Sequence, residues 1–212
     1  YLAQTLKQAK PNVKILLGGP EVSHEGEEFL FEHPFVDFVI QGEGEGPFAA
    51  FLKQYFATVP DYNGVWGLMY RAGAIVRRNK PCPPLKFESV PNPYDLLPAD
   101  EDRILYYESS RGCPFQCAYC LSCIDRQVRA LPVERVKEDL KYFIYKRVKQ
   151  VKFVDRTFNY DARRSLEIMR YLVEKDNGVT NYHLEMCGEL LGEEHYELLK
   201  QARPGLFQFE IG

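Results

Sequence analysis

The 212-residue sequence contains no apolar run long enough to span a membrane, and its first residues, YLAQTLKQAKPNVK, lack the charged-then-apolar order of a secretory signal. It contains no internal repeat and no low-complexity segment. An apolar content of 45% with 27% charged residues excludes the disordered and fibrous classes. We therefore expect a globular, cytoplasmic protein with no membrane partner.

The sequence also lacks an excess of basic charge. Its formal net charge is -3, and the Lys and Arg residues of segment 135–152 alternate with apolar residues at helical spacing. Solvated helix faces explain this pattern better than a nucleic-acid surface does, so no nucleic-acid partner is expected. Because the chain begins without Met and stops on the strand-like run FQFEIG, we expect it to be a fragment of a longer protein.

Strands and helices alternate in the first quarter of the chain. Residues 1–9 predict the end of a helix, and VKILLGGP predicts a buried parallel strand feeding a tight loop. Ser23 is the predicted N-cap of the next helix. Segment 35–56 then predicts a strand, a glycine-rich acidic loop and a helix. This order indicates part of a Rossmann-like α/β domain over residues 1–56.

Residues 57–103 differ in character from what precedes them. The run GVWGLMYRAGAIVRRN predicts two strands around a turn at Ala72 and Gly73, and the proline-rich run that follows has no usable period. This hairpin and linker is the predicted domain boundary. Over residues 104–212 the alternation resumes and predicts (βα)3β, the first four parallel strands of a partial (β/α) barrel.

Four of the six cysteines lie in the run ESSRGCPFQCAYCLSC. Cys113, Cys117 and Cys120 form CxxxCxxC directly after the first barrel strand. Thiolates are the ligands that iron-sulfur clusters and zinc select, and three ligands would leave one metal position open. With Cys123 as a fourth ligand, the loop would instead close a structural zinc site. Structural zinc usually takes two separated ligand pairs, and the sequence offers no second pair, so a cluster is favoured.

The segment RGCPFQCAYC, with an aromatic residue directly before its last cysteine, resembles the signature of the radical SAM enzymes. The resemblance implies a 4Fe-4S cluster on Cys113, Cys117 and Cys120, with S-adenosylmethionine on the remaining iron and Tyr119 beside the adenine. It implies reductive cleavage of S-adenosylmethionine to a 5'-deoxyadenosyl radical that abstracts hydrogen from a small-molecule substrate. It also implies a low-potential electron donor such as a ferredoxin or flavodoxin. Cys123 departs from the pattern and is expected to be a bystander thiol or an alternative ligand.

Polar residues at the other strand ends give further candidates for cofactor binding. Asp155 and Arg156 follow the second barrel strand, where family members present polar groups toward the cofactor; a helix cap and a surface ion pair are the alternative. Alternation along two later strands points Glu185 and Glu210 into the barrel, away from the helix-facing apolar residues. There they would meet the amine or ribose hydroxyls of the cofactor, or pair with other charges. Cys187, on the face of Glu185, is expected to be an ordinary thiol, as is Cys82 in the linker.

The front half resembles the C-terminal part of the cobalamin-binding domain found before the barrel in one branch of the radical SAM enzymes. The runs LLGGP and VIQGEGEGPF carry this resemblance, which implies that cobalamin is a further cofactor and that four glycines line the pocket for its nucleotide tail: Gly18, Gly19, Gly42 and Gly44. The branch includes methyltransferases, methylthiotransferases and oxidative cyclases of chlorophyll precursors. The expected function is therefore methyl transfer or oxidative cyclisation on an unidentified substrate. The alternative is a non-catalytic zinc- or cobalamin-binding module or a redox sensor.

Overall fold

The structure of the chain is a computed structural model, and it describes residues 1–97, 103–124 and 127–212, without the side chains of Cys123 and Ile124. The chain divides into two compact units, Tyr1–Lys86 and Phe87–Gly212. The segment 57–103, predicted as hairpin and linker, contributes to both of them. Within the described ranges, none of the helices combines the length and the apolar character that crossing a membrane requires.

The first unit is an α/β layer built around a four-stranded sheet in the order β1-β2-β3-β4. Its elements are α1 (Leu2–Ala9), β1 (Leu16–Gly18), α2 (Pro20–Ser23), α3 (Gly26–Glu32), β2 (Phe38–Ile40), α4 (Glu45–Tyr55), a 3-10 turn (Tyr62–Gly64), β3 (Leu68–Ala72) and β4 (Ile75–Arg78). β1 and β2 are parallel, as predicted for a Rossmann-like unit. The predicted hairpin extends this sheet, because β3 pairs antiparallel with β2.

Apolar side chains cover both faces of β2. Val39 belongs to one core cluster with Leu30 and Met69, whereas Phe38 and Ile40 belong to a second cluster on the opposite face. A central strand buried on both sides is what a continuous apolar run predicts.

Two local predictions in this unit were wrong. Ser23 was expected to cap a helix, but it ends α2 and its hydroxyl donates to the Gly19 carbonyl oxygen at 2.8 Å. The hairpin turn lies one residue later than expected, since β3 continues to Ala72 and Gly73 takes a positive φ of 65°.

The second unit contains a parallel sheet of four strands in the order β10-β9-β8-β5. Its elements are 3-10 turns (Phe87–Ser89 and Pro93–Asp95), β5 (Ile104–Tyr107), β6 (Ser110–Arg111), a 3-10 turn (Leu121–Ile124), β7 (Arg129–Ala130), α5 (Val133–Tyr145), β8 (Gln150–Phe153), α6 (Ala162–Glu174), β9 (Asn181–Met186), a 3-10 turn (Gly188–Leu190), α7 (Glu193–Gln201) and β10 (Phe207–Ile211). The predicted (βα)3β order is confirmed. The sequence did not reveal the short antiparallel pair of β6 and β7.

One face of the parallel sheet packs against the helices and the other is polar. Along β9, Tyr182, Leu184 and Met186 are buried in the same core cluster as Met169 and Leu172 of α6. The intervening residues of β9 point to the opposite face, as the alternation predicted. The parallel sheet thus has one apolar face and one face that carries charged groups.

Candidate active site

The cysteine loop, which we define as residues 112–124, starts at the carboxyl edge of the parallel sheet. It follows β5 and β6, and β7 returns the chain antiparallel to β6. Gly112 opens the loop with a φ of 90°, a conformation that favours glycine. Inside the loop, the Cys120 N–H donates to the Cys117 carbonyl at 3.1 Å. This is the edge at which enzymes of the barrel class gather their active sites.

The three cysteines of the CxxxCxxC motif lie on this loop and are not in disulfides. Cys117 is exposed, and Cys113 and Cys120 are half-buried. The Sγ atom of Cys113 lies 3.4 Å from the hydroxyl oxygen of Thr157. Hydrogen bonds from Ser122 hold the pKa of Cys120 below its ordinary value, and the positive charge of Arg156 lowers it further. A lowered pKa favours the thiolate, which is the form that binds metals.

The donor set of the loop suits a soft metal centre. Three thiols on one segment, with no carboxylate among them, match the ligands of iron-sulfur clusters. Among the residues that the structure describes, no three Cys, His, Asp or Glu side chains stand close enough to hold a metal ion. The loop therefore carries the ligand chemistry of an iron-sulfur centre. The side chain of Cys123, predicted as bystander or alternative ligand, lies outside the described residues.

Tyr119, on this loop, and Arg156, whose charge reaches Cys120, are both accessible. The Tyr119 side chain is 93% exposed, so its ring is available to stack on a ligand. Arg156 is exposed as well, and its charge acts on Cys120. The two residues stand where an anionic or aromatic group could reach them.

Asp155 behaves differently from its neighbour Arg156. It is completely buried, and its Oδ1 atom accepts hydrogen bonds from the Ser109 N–H at 2.7 Å and the Ser110 N–H at 2.9 Å. Burial raises its pKa, and the hydrogen bonds from Ser109 and Ser110 oppose that shift. It does not cap a helix either, because Asp161 is the N-cap of α6. The structure thus places Asp155 beneath the start of the cysteine loop.

A charged cluster lies on the polar face of the sheet. The Lys152 Nζ atom of β8 lies 3.4 Å from a carboxylate oxygen of Glu185 and 3.3 Å from one of Glu210. His183 Nε2 lies 3.4 Å from the same Glu210 oxygen. Burial lowers the pKa of Lys152, but the two carboxylates raise it more, so it stays above its ordinary value. The two predicted glutamates therefore share one face of the sheet and one lysine, and the ion pairing that the sequence left as the alternative is observed on that face.

Cys187 follows β9 at the same edge of the sheet. The side-chain amide of Asn159 holds its backbone at both polar atoms, donating to the Cys187 carbonyl at 2.8 Å and accepting from its N–H at 2.9 Å. The thiol is half-buried and not in a disulfide.

The four predicted glycines of the first unit lie at or shortly after the ends of β1 and β2. Gly19 and Gly42 have positive φ values of 103° and 76°, so they hold conformations that other residues rarely adopt. A Cβ atom added at Gly19, Gly42 or Gly44 would meet no heavy atom of the described residues within 4 Å, and one at Gly18 would come no closer than 3.7 Å to the Ile40 carbonyl oxygen. Open space beside the backbone is what a ligand needs in order to approach it closely.

Ser23 connects the two glycine loops. Its hydroxyl donates to the Gly19 carbonyl at 2.8 Å and accepts from the Gly42 N–H at 3.2 Å. The sequence reasoning missed this role, as it missed Lys152, Thr157, Ser109 and Arg164 in the second unit. Period-two alternation could have placed Lys152 on the polar face of β8; the other contacts depend on residues far apart in the chain.

Comparisons with known proteins agree with these features. The family model described as Radical SAM superfamily matches residues 107–212, and the one described as B12 binding domain matches residues 1–52. The chain is 34% identical over 177 residues to an uncharacterized methyltransferase of Pyrococcus horikoshii. The matched region covers 79% of this chain and 38% of that protein. It is 31% identical over 187 residues to the cobalamin-dependent radical SAM methyltransferase TokK of Streptomyces tokunonensis. Here the matched region covers 82% of this chain and 27% of TokK.

A solved structure supports the same fold. The radical S-adenosylmethionine methyltransferase TsrM from Kitasatospora setae, with cobalamin and a 4Fe-4S cluster bound, has a TM-score of 0.74 at 12% identity, over 100% of this chain and 44% of that one. The predicted fold class, a partial Rossmann-like domain followed by the first strands of a barrel, is confirmed. The chain spans less than half the length of each of these three proteins.

Proposed function

Because this chain belongs to the radical SAM superfamily, we propose that it is the part of an enzyme in which Cys113, Cys117 and Cys120 hold a 4Fe-4S cluster that cleaves S-adenosylmethionine. The observation that carries the proposal is the set of three thiols outside disulfides, on one loop at the carboxyl edge of a parallel sheet. When bound, the cluster supplies the electron that splits the sulfonium into methionine and a 5'-deoxyadenosyl radical. The residues around it bind and orient the nucleotide.

We assign Tyr119, Arg156, Glu185 and Glu210 to S-adenosylmethionine. The ring of Tyr119 stacks on the adenine, which suits its high exposure. Glu185 and Glu210 accept hydrogen bonds from the ribose hydroxyls or the amine, and Lys152 keeps their combined charge compensated. Arg156 stands beside the loop as a cation for the methionyl carboxylate.

Anaerobic reconstitution of the intact protein tests this proposal. We expect about four irons and about four sulfides per chain, with release of 5'-deoxyadenosine from S-adenosylmethionine in the presence of dithionite. A single tightly bound zinc with no cleavage would instead support the alternative, a structural metal-binding module or redox sensor.

We further propose that the first unit binds cobalamin and that the net reaction is a methyl transfer. The match of residues 1–52 to the B12 binding domain supports this, together with the open space at Gly19, Gly42 and Gly44. Saturable binding of hydroxocobalamin by the intact protein, followed by its absorption spectrum, is the direct test. Formation of S-adenosylhomocysteine together with a methylated substrate indicates methyl transfer, whereas 5'-deoxyadenosine together with an unmethylated, oxidised substrate indicates oxidative cyclisation.

The proposed reaction needs a small-molecule substrate and a low-potential electron donor such as a ferredoxin or flavodoxin. We place the enzyme in the cytoplasm, because a loop of reduced thiols persists in a reducing compartment. Cleavage of S-adenosylmethionine with reduced flavodoxin in place of dithionite would support this donor class.

A further inference from the structure

We propose that Asp155 is a positioning residue: with Arg164, it fixes both ends of the segment that carries the cysteine loop and thereby sets the place of Cys113. The role of Cys113 as a cluster ligand rests on the proposed function, whereas the contacts of Asp155 and Arg164 are made within the protein and do not require a cluster. Asp155 was predicted as a cofactor ligand, but it is completely buried and hydrogen-bonds the protein backbone instead.

Both oxygens of the Asp155 carboxylate accept hydrogen bonds from the segment before the loop. One oxygen accepts both the Ser109 and the Ser110 N–H groups, and the other accepts the Ser109 hydroxyl. Ser109 and Ser110 are buried and directly precede Arg111 and Gly112, where the loop opens. A carboxylate without solvent needs such donors, because burying an uncompensated charge is costly.

The guanidinium of Arg164 joins the two ends of this segment. Its Nη2 atom donates to the Ser109 carbonyl at 3.1 Å, to the Ser109 hydroxyl at 3.2 Å and to the Leu131 carbonyl at 3.3 Å. The Leu131 N–H also donates to the Ser109 carbonyl at 2.9 Å. Ser109 lies just before β6 and Leu131 just after β7, so one side chain holds both ends of the segment.

Asp155 and Arg164 are both buried, so the negative charge of the one compensates the positive charge of the other. Arg164 is buried, and its Nε and Nη1 atoms have no hydrogen-bond partner among the described residues. Its positive charge opposes the rise in the pKa of Asp155 that burial causes. Removal of the Asp155 charge would therefore leave a buried cation without its counter-charge, which is a strongly unfavourable state.

Thr157 connects Asp155 to Cys113, a predicted cluster ligand. Thr157 lies two residues after Asp155, and its hydroxyl oxygen is 3.4 Å from Cys113 Sγ. The Thr157 hydroxyl is itself held on the Arg156 carbonyl at 2.8 Å. The short segment 155–157 thus contacts the cysteine loop at its base and at its first thiol.

The experiment compares Asp155→Asn with Asp176→Asn in the intact protein. Asp176 is a matched control, because it also accepts a backbone N–H, from Gly178 at 3.0 Å, and an arginine, Arg203 at 2.8 Å, in a different connection of the same unit. In protein without iron, amide hydrogen exchange is measured at Ser109, Ser110 and Leu131. We expect exchange to accelerate about tenfold or more in Asp155→Asn, since a hydrogen bond to a charged group is lost, and to stay within about twofold in Asp176→Asn.

Reconstituted protein gives two further readouts. One is the rate at which a chelator removes iron, and the other is the electron paramagnetic resonance spectrum of the reduced cluster. We expect faster iron loss and an altered spectrum for Asp155→Asn alone. Unchanged amide exchange in Asp155→Asn would overturn the proposal. If that variant does not fold, Ser109→Ala, which removes only the hydroxyl, must show the same acceleration in smaller measure. Failure of the wild-type protein to take up iron would count against the proposed function, while the exchange comparison would still decide the role of Asp155.

Discussion

The Nζ atom of Lys152 lies 3.3 Å from a carboxylate oxygen of Glu210, on the face of the parallel sheet that the helices leave uncovered. The two residues are 58 positions apart in the sequence, and the strand between them adds Glu185 to the same lysine. One cation thus compensates two carboxylates that we assign to nucleotide binding. Its removal should disturb them both.

Substitution Lys152→Met is expected to weaken binding of S-adenosylmethionine about fivefold, because the two carboxylates then repel each other. The effect is modest since the pair is partly exposed, and such ion pairs contribute about 1 kcal/mol or less. Equilibrium binding to the reconstituted protein measures it. Lys137→Met, which breaks a pair with Glu167 between helices α5 and α6, serves as the control and should leave the affinity unchanged. Equal affinities of wild type and Lys152→Met would contradict the assignment.

His195 makes the stability of the second unit dependent on pH. It is buried at the start of α7, where its Nδ1 atom accepts the Gly192 N–H at 3.2 Å and its Nε2 atom lies 3.1 Å from the Ser165 hydroxyl oxygen. Burial holds its pKa below the ordinary 6.5, although Glu194 acts in the opposite direction. The unfolded chain therefore binds a proton more readily than the folded one, and stability falls as the pH drops below about 6.5.

Thermal unfolding between pH 5 and pH 8 checks this prediction. The melting temperature of wild type should fall toward pH 5 more steeply than that of His195→Gln, which cannot take up the proton. Parallel pH profiles of the two proteins would show that His195 contributes nothing to the dependence.

Ser23 is expected to matter for cobalamin, because its hydroxyl holds the Gly19 and Gly42 loops together. Ser23→Ala should weaken hydroxocobalamin binding about fivefold, the effect of losing a hydrogen bond worth about 1 kcal/mol. The dissociation constant is obtained by titration followed by absorbance. Thr58→Ala removes a hydroxyl from an exposed position and should bind as wild type does. An equal loss in both variants would indicate a general effect of destabilisation.

Much of the fold could be predicted because it depends on local periodicity. The alternation along β9 and β10 placed Leu184 and Met186 on the helix side and Glu185 and Glu210 on the other, as observed. By contrast, β6 and β7 contain two residues each and are too short to show a period. The position of β3 beside β2 likewise depends on a pairing that no local pattern encodes.

The site could be predicted only in part, for the same reason. The spacing of Cys113, Cys117 and Cys120 is a local signal and was visible in the sequence. The support beneath them is not local, since Ser109 and Asp155 are 46 residues apart and Ser109 and Arg164 are 55 apart. A polar residue at a strand end can face a ligand or hold the backbone, and only the three-dimensional contacts distinguish the two for Asp155.

The most direct test of the account is iron and sulfide analysis of single alanine variants of the intact protein, reconstituted without oxygen. Each of the variants Cys113→Ala, Cys117→Ala and Cys120→Ala should lose the complement of about four irons and stop releasing 5'-deoxyadenosine. The variants Cys82→Ala and Cys123→Ala should keep the irons and the release of 5'-deoxyadenosine. If any of the first three variants retains four irons and cleaves S-adenosylmethionine at the wild-type rate, the assignment of these thiols to the cluster is wrong.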